Sequence, residues 1–409
     1  MALASGATRV RVVSYNVLSP QLCSAGWFPH CAGEGATDND QRLRRVLSKL
    51  TGEVQQDSVV CLQEVSRSWE GELHAFFLSR GYAFICSGYD NAFNGYMGVG
   101  IAFPQRAFAL EGCNIVRVSD TKEGGWRAPG ESRAERLAAA ERAAAAAAAE
   151  SALVRLARPA AAWLSGLWAA AQAAALRALR PPTPEPAPDP WQYSEQRTNT
   201  CVQLRLRPRP GSPGPDDAAL PALSVATYHM PCAFRTPQVM AIHCSLVARA
   251  AIKQAKGDPL VLAGDFNVKP QDPAYELLLN GAFQSDAARE QCVPAKPCYP
   301  EDKFKLETGP AQALTSAYRK VHGAEPDFTN LAWTKDMPEH FCETLDYVFF
   351  RQGERALIEP VKAAQLPNRS VFLDQGIRSL PSPEEPSDHV AIAAEFELRH
   401  KPKRDKKAS

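Results

Sequence analysis

A layered α+β fold, or a four-layer sandwich with helices outside two sheets, is predicted by three features of this 409-residue chain. Short β-branched runs bounded by turns recur along most of its length, stretches of helical periodicity lie between several of them, and strands outnumber helices. Composition permits such a core: 45% hydrophobic and 22% charged residues exclude wholesale disorder, collagen and a coiled-coil rod. Charge is balanced, 46 Lys+Arg against 45 Asp+Glu, so no global field points to nucleic acid or an acidic membrane. Any such partner must be read from local patches.

Taken in chain order, the first strand is expected at Arg9 to Tyr15, followed by a helix over Gln41 to Val54 and a strand at Ser58 to Leu62. A helix over Trp69 to Leu78 leads to strands at Met97 to Phe103 and Asn114 to Val118. Strands at Thr200 to Leu206 and Leu223 to Thr227 come next. The helix expected over Gln238 to Gln254 places Val239, Ile242, Leu246, Val247 and Ala250 on one face. Leu260 to Ala263, Leu345 to Phe350 and His389 to Leu398 complete the strands.

One segment departs from this alternation. Glu131 to Arg180 is dominated by alanine, the best helix former, with arginines scattered through it, and a proline-rich run, PPTPEPAPDP, closes it at Pro190. It reads as a helical insertion over 131–190, divided by Pro159 and Gly166. Its uncharged part, Pro159 to Leu176, holds Trp163 and Trp168, but about 18 residues of mostly alanine make a poor membrane span. A solvated or core-packed helix is the favoured reading, with weak interfacial membrane contact as the alternative. Arg207 to Asp217 reads as a flexible loop, and HKPKRDKK within residues 400–409 as a basic tail.

Eleven cysteines without a CxxC pair argue against a disulfide framework or a zinc site. The opening MALASGATRVRVVSYN has no apolar h-region, so a secretory signal is not expected. An intracellular location, cytoplasmic or nuclear, fits both observations, and the sequon at Asn368 is then a coincidence. His243 and His74 lie on expected helices and read as surface or satisfied core, while Cys292 and Cys298 flank prolines in a loop. Nothing in the sequence asks for an obligate oligomer.

The chemistry lies at strand ends. VVSYN ends at Asn16, VVCLQE at Glu64 and SVATYH at His229; LVLAGDFN brings Asp265 and Asn267, LDYVFF brings Asp346, and PSDHVAIAAEF brings Asp388 and His389. Ends of neighbouring strands converge in space, so these segments predict one polar cluster. Carboxylate and amide oxygens without a thiolate suit a hard divalent cation, Mg²⁺ in the first place with Mn²⁺ as the alternative, and Glu64 is the first choice of ligand.

The order YN, QE, a strand ending in His, GDFN, LDY and SDH resembles the endonuclease/exonuclease/phosphatase superfamily, from Arg11 to Leu398 apart from the insertion. The resemblance implies a four-layer α/β/β/α sandwich of DNase I-like type and a single domain over 1–409. Length alone would allow two to three domains at roughly 150 residues each. SYNVLSPQL, EPDFTN, and LPN followed by PSDH look like the deadenylase, nocturnin, Angel and 2′,5′-phosphodiesterase branch. In that family Glu64 would bind the metal, with Asn16 and Asp388 alongside. Asp265 would orient and deprotonate the attacking water, Asn267 would steady the phosphorane, His229 and His389 would contact phosphate, and Asp346 would fix the tautomer of His389. Asn330 and Phe341 match the positions that hold a terminal base in deadenylases, with Trp333 as an alternative stacking residue. The loop after His229, MPCAFRTP, differs from the deadenylase loop.

The resulting expectation is a Mg²⁺-dependent phosphodiesterase, a 3′ exoribonuclease acting on single-stranded RNA or another phosphodiester. A sphingomyelinase-like or other small-molecule phosphoesterase, an abasic-site DNA nuclease and an inert binding scaffold are its competitors.

Overall fold

The computed structural model describes residues 7–31, 33, 35–89, 91–127, 189–209 and 221–401. All but the last two residues of the expected insertion, residues 210–217 of the expected loop and residues 402–409 of the basic tail lie outside them.

Two six-stranded sheets carry the fold. The first contains β1 (Ala7–Asn16), β2 (Val59–Val65), β3 (Tyr82–Gly88), β4 (Gly98–Pro104), β13 (Ala356–Ala363) and β14 (Ile392–His400), in the order β13-β14-β1-β2-β4-β3. The second contains β5 (Phe108–Arg117), β6 (Thr200–Pro208), β7 (Leu223–His229), β8 (Leu260–Asp265), β9 (Thr315–Ser316) and β12 (Asp346–Arg351), in the order β5-β6-β7-β8-β12-β9. A short ribbon pairs β10 (Asn330–Ala332) with β11 (Phe341–Glu343).

Side-chain alternation explains the layers. Val59 and Cys61 of β2 pack with Val261 and Ala263 of β8 in the core between the sheets. Val60 and Leu62 turn the other way, onto Val46 and Leu50 of α1 (Asn39–Val54) and Leu73 and Phe77 of α2 (Arg67–Leu78). Leu260 and Leu262 likewise turn outward, onto Val239, Ile242 and Leu246 of α4 (Pro237–Ala255). Each sheet is thus buried on both faces, which is why its central strands read as unbroken apolar runs. The result is the α+β arrangement of two sheets flanked by helices.

The strands not foreseen are β3 and β13, the two edges of the first sheet, and the two- and three-residue strands β9, β10 and β11. β13 carries Pro360 and Lys362 at a register shift, both features that blunt an edge and mask its strand signal. Shorter helices are α3 (Pro190–Gln196), α5 (Pro273–Asn280), α6 (Asp286–Cys292), α7 (Ala317–His322) and α8 (Arg369–Asp374).

Chain that departs at 127 and returns at 189 is anchored on both sides. Trp126 meets Trp191 edge to face at 6.4 Å, and Arg127 pairs with Glu195. Beneath them the Lys122 ammonium, fully buried, donates to Asp302 at 2.7 Å and lies 5.0–5.7 Å from four aromatic rings. A buried cation held by a carboxylate and ring faces is a rigid footing.

Candidate active site

Strand direction and register assemble the site. β1 runs parallel to β2 and β7 parallel to β8, so Asn16, Glu64, His229 and Asp265 all stand at carboxyl ends. His229 is opposite Asp265 in the ladder. β12 runs antiparallel to β8 and begins with Asp346 opposite that same Asp265, while β14 begins just after Asp388 and His389 and runs antiparallel to β1.

Local backbone then aims the side chains. Glu64 lies at an irregularity in the β2–β4 ladder with φ 58°, and Asn267 has φ 49°. Left-handed conformations cost non-glycine residues about 1–3 kcal/mol and collect where geometry serves function. Gly264, with φ 154°, must be glycine, because a Cβ there would come 1.9 Å from the Tyr228 carbonyl oxygen.

Asp265 is the hub. Its Oδ2 accepts from Asn16 Nδ2 at 3.1 Å and faces His229 Nε2 at 3.4 Å and His389 Nε2 at 3.7 Å, while its Oδ1 accepts the Asn267 N–H at 2.9 Å. Asn16 Nδ2 also donates to Glu64 Oε1 at 3.0 Å, and the amide is oriented because its Oδ1 accepts the Leu18 N–H. Glu64 Oε2 accepts the Ser19 N–H at 2.8 Å. Asn267 Nδ2 donates to the Met230 carbonyl, leaving one of its two N–H bonds.

His389 Nδ1 meets Asp346 Oδ2 at 2.7 Å in a buried pair. Burial alone would lower the His389 pKa, but Asp346, Asp388 and Asp265 together hold it well above the usual histidine range. Burial pushes the Asp346 carboxyl up, and its Oδ1 is a buried oxygen with no hydrogen-bond partner. Asp388 is pushed up to about 6, by burial and, against the pull of His389, by Glu64. Asp388 Oδ2 accepts from Asn330 Nδ2 at 3.3 Å, and Asn330 forms an isolated bridge with His389.

Of the expected residues, the structure therefore brings together Asn16, Glu64, His229, Asp265, Asn267, Asp346, Asp388, His389 and Asn330 through shared contacts. Phe341 lies on β11, opposite Ala332, and Trp333 stacks on His30 at 3.9 Å.

Three further residues were not foreseen. Tyr89 places its hydroxyl 2.7 Å from His229 Nδ1. Thr329 Oγ1 accepts the backbone N–H groups of Leu345 and Asp346, fixing the start of β12. Arg42, fully buried on α1, donates to the carbonyls of Val17, Leu18 and Pro386. It ties the loop after Asn16 to the segment before Asp388. The FTN motif pointed near Thr329; for Tyr89 and Arg42 no local signal exists.

The donor set fits a hard divalent cation. Four carboxylates converge in a largely desolvated space, two of them with raised pKa values and one with an unpartnered oxygen, and Asp265, Asp346 and His389 place one ligand atom each within 4.8 Å of one another.

A model described as the Endonuclease/Exonuclease/phosphatase family matches residues 13–389. The chain is 34% identical over 140 residues, 34% of its length and 27% of the relative's, to Carbon catabolite repressor protein 4 homolog 4 of Arabidopsis thaliana. It is 28% identical over 154 residues, 36% of its length and 21% of the relative's, to Nocturnin of Drosophila melanogaster. The chain thus spans well under half the length of either curated relative. Among solved structures it shares the fold of ANGEL2, a 2′,3′-cyclic phosphatase, with a TM-score of 0.61 and 19% identity over 96% of both chains. It also shares that of the human Nocturnin catalytic domain, with a TM-score of 0.52 and 15% identity over 95% of this chain and 93% of that one.

Proposed function

The chain belongs to the endonuclease/exonuclease/phosphatase family, and from that premise we propose that it is a Mg²⁺-dependent phosphodiesterase, a 3′ exoribonuclease of the deadenylase and nocturnin type. The observation that carries the reading is the convergence on Asp265: one carboxylate is reached by Asn16, His229 and His389 and oriented by the backbone of Asn267.

Asp265 is the base that orients and deprotonates a water. Its hydrogen bonds from Asn16 and Asn267 fix its direction. His389, held charged by Asp346, presents Nε2 as a donor to a phosphoryl oxygen, and His229 Nε2 presents a second. The remaining N–H of Asn267 supplies a third donor where charge develops in an in-line displacement. Glu64 would hold the cation with Asp388 alongside, and Asn16 steadies Glu64 by donating to it. A bound Mg²⁺ would neutralise phosphate charge and acidify coordinated water.

A further relative, the CCR4-Not complex 3′-5′-exoribonuclease subunit Ccr4 of Aspergillus terreus, 26% identical over 156 residues, 37% of this chain and 20% of that one, supports RNA as the substrate class. Asn330, hydrogen-bonded to Asp388, and Phe341 are our candidates for contacts to the terminal nucleotide, with Trp333 as the alternative stacking residue. That residues 16 and 389 serve one site supports reading the chain as one domain. The free state of all eleven cysteines supports a reducing, intracellular setting.

The test is a substrate panel on the purified chain: single-stranded oligo(A), mixed RNA, an RNA ending in a 2′,3′-cyclic phosphate, NADP⁺, abasic DNA and sphingomyelin, each with Mg²⁺ or EDTA. Asp265→Ala is the blank. Metal-dependent shortening of RNA from its 3′ end is the expected result. Hydrolysis confined to another substrate would replace the RNA reading, and no metal-dependent hydrolysis of any member would refute the proposal.

A further inference from the structure

Outside the catalytic site, α2 and β3 bring together a second set of metal-ligating side chains. Glu70 and His74 stand four residues apart on α2, so they share a face one turn apart. Cys86 lies on β3, the edge strand that packs beneath α2 together with Phe84. Cys86 Sγ is 3.1 Å from Glu70 Oε1 and 3.6 Å from His74 Nε2, and the three ligand atoms lie within 4.8 Å of one another.

Those spacings match a coordination polyhedron. A tetrahedral zinc ion with Zn–S of about 2.3 Å and Zn–N or Zn–O of about 2.05 Å sets its sulfur and nitrogen or oxygen ligands about 3.6 Å apart. The Sγ–Nε2 edge already has that length, and the Sγ–Oε1 edge is half an ångström shorter, within the reach of a Glu rotamer on a partly exposed helix face. Neighbours hold the three in place. The His74 ring packs on Phe84 at 4.9 Å, and Gly100, opposite Cys86 in the ladder, leaves the space that a Cβ would take from both Phe84 and Cys86.

We propose that Glu70, His74 and Cys86 form a Zn²⁺ site with an exchangeable water as the fourth ligand, separate from the catalytic cation. A thiolate, an imidazole and a carboxylate select a borderline-soft ion, whereas the oxygen-rich catalytic set selects a hard one. On binding, the Cys86 S–H proton passes to solvent and the thiolate coordinates. Because His74 is exposed and Glu70 and Cys86 are partly so, the ion can come and go. Its position has a consequence for the reaction. Three residues beyond Cys86 stands Tyr89, the partner of His229, so an ion clamping β3 to α2 also steadies the strand that delivers Tyr89. Sequence spacing concealed the site, because its third ligand lies on a different element from the other two.

The test uses the full chain, reduced and stripped of metal, titrated with Co²⁺ as a spectroscopic probe and then with Zn²⁺ in competition. A thiolate-to-cobalt charge-transfer band that saturates at a single equivalent and is displaced by Zn²⁺ is expected. Cys86→Ser should abolish the band, His74→Ala should weaken binding by about tenfold or more, and Glu64→Ala, which alters only the catalytic cation site, should leave it intact. Unchanged circular dichroism confirms the fold of each variant. A wild-type chain without the band, or a band that survives Cys86→Ser and His74→Ala unchanged, overturns the proposal.

Discussion

Replacing Tyr89 by Phe removes one oxygen atom and tests how the site holds His229. His229 Nε2 faces the Asp265 carboxylate, which can only accept, so the ring hydrogen lies on Nε2 and the neutral Nδ1 accepts from the Tyr89 hydroxyl at 2.7 Å. In Tyr89→Phe that buried acceptor loses its donor, a loss worth about 1–3 kcal/mol. If the deficit falls on the transition state, where His229 Nε2 must point at phosphate, kcat drops roughly 5- to 150-fold. KM should change little, because the ring remains and substrate contacts are untouched. The assay is steady-state hydrolysis of the best substrate in the panel at saturating Mg²⁺, beside a urea melt that registers any loss of fold. A variant that keeps kcat within about twofold of wild type would show that Tyr89 does not position His229. An activity loss that merely tracks unfolding would refute the argument equally.

Three further perturbations follow from the geometry. Glu64→Gln should retain the fold but lose the rise in melting temperature that Mg²⁺ gives the wild type, measured by differential scanning fluorimetry; an equal rise in both would remove Glu64 from the cation site. Arg42→Met leaves the carbonyls of Val17, Leu18 and Pro386 without their buried donor and should cost about 3–5 kcal/mol in urea unfolding, whereas a loss below about 1 kcal/mol would mean the loop holds itself. Burial pushes His243 down to about 3. As a base with a depressed folded pKa, it contributes stability that is present above its unfolded value of about 6.5 and is lost as pH falls toward about 3, about 3 kcal/mol of it by about pH 4.5. The urea midpoint of His243→Gln should therefore fall less between neutral and acid pH than that of wild type; parallel curves would contradict this.

What was legible in the sequence follows from burial. β2, β7 and β8 are buried along their whole length, and a strand buried on both faces shows itself as an apolar run that ends where polar side chains begin. That ending is also where Glu64, His229 and Asp265 stand, so strand signal and site signal were the same signal. Edge strands β3 and β13 have one partner each and mixed composition, and β9, β10 and β11 are only two or three residues long, too short to show a strand pattern; all five were missed for those reasons. His389 was expected inside a strand, but β14 starts only at Ile392, because the backbone at Asp388, His389 and Val390 pairs with Thr329, Asn330 and Leu331 rather than with β1. The residues that hold the site were hidden more deeply. Tyr89 and His229 are 140 positions apart, and Arg42 and Pro386 are 344 apart, so only the closed sandwich makes them neighbours. Trp333, a candidate for base stacking, already has His30 on one face, a contact between distant loops that no local pattern encodes.

The carboxylates of the site set the protein a problem that a cation resolves. Four of them converge, and their titration reflects it: burial pushes Asp388 up to about 6, Asp346 is raised as well, and His389 stays charged among them. The sign of the pH dependence follows. A carboxyl whose folded pKa lies above its unfolded value contributes stability below that unfolded value and loses it as pH rises through about 6, so the metal-free protein weakens in that window. A divalent ion competes with the same protons and gains affinity over the same window. The increase in melting temperature produced by a fixed concentration of Mg²⁺ should therefore be small at about pH 5 and large at about pH 7.5. An increase independent of pH would mean that the ion does not displace the Asp388 proton, and that the proposed ligand set is wrong at that position. Arg42 gives the arrangement its other half: its Nε and Nη2 donate to the backbone just after Asn16 and just before Asp388 and its Nη1 to the Asn39 amide oxygen, none of them to a carboxylate, so the frame is fixed while the negative charge is left available for a cation and a phosphate.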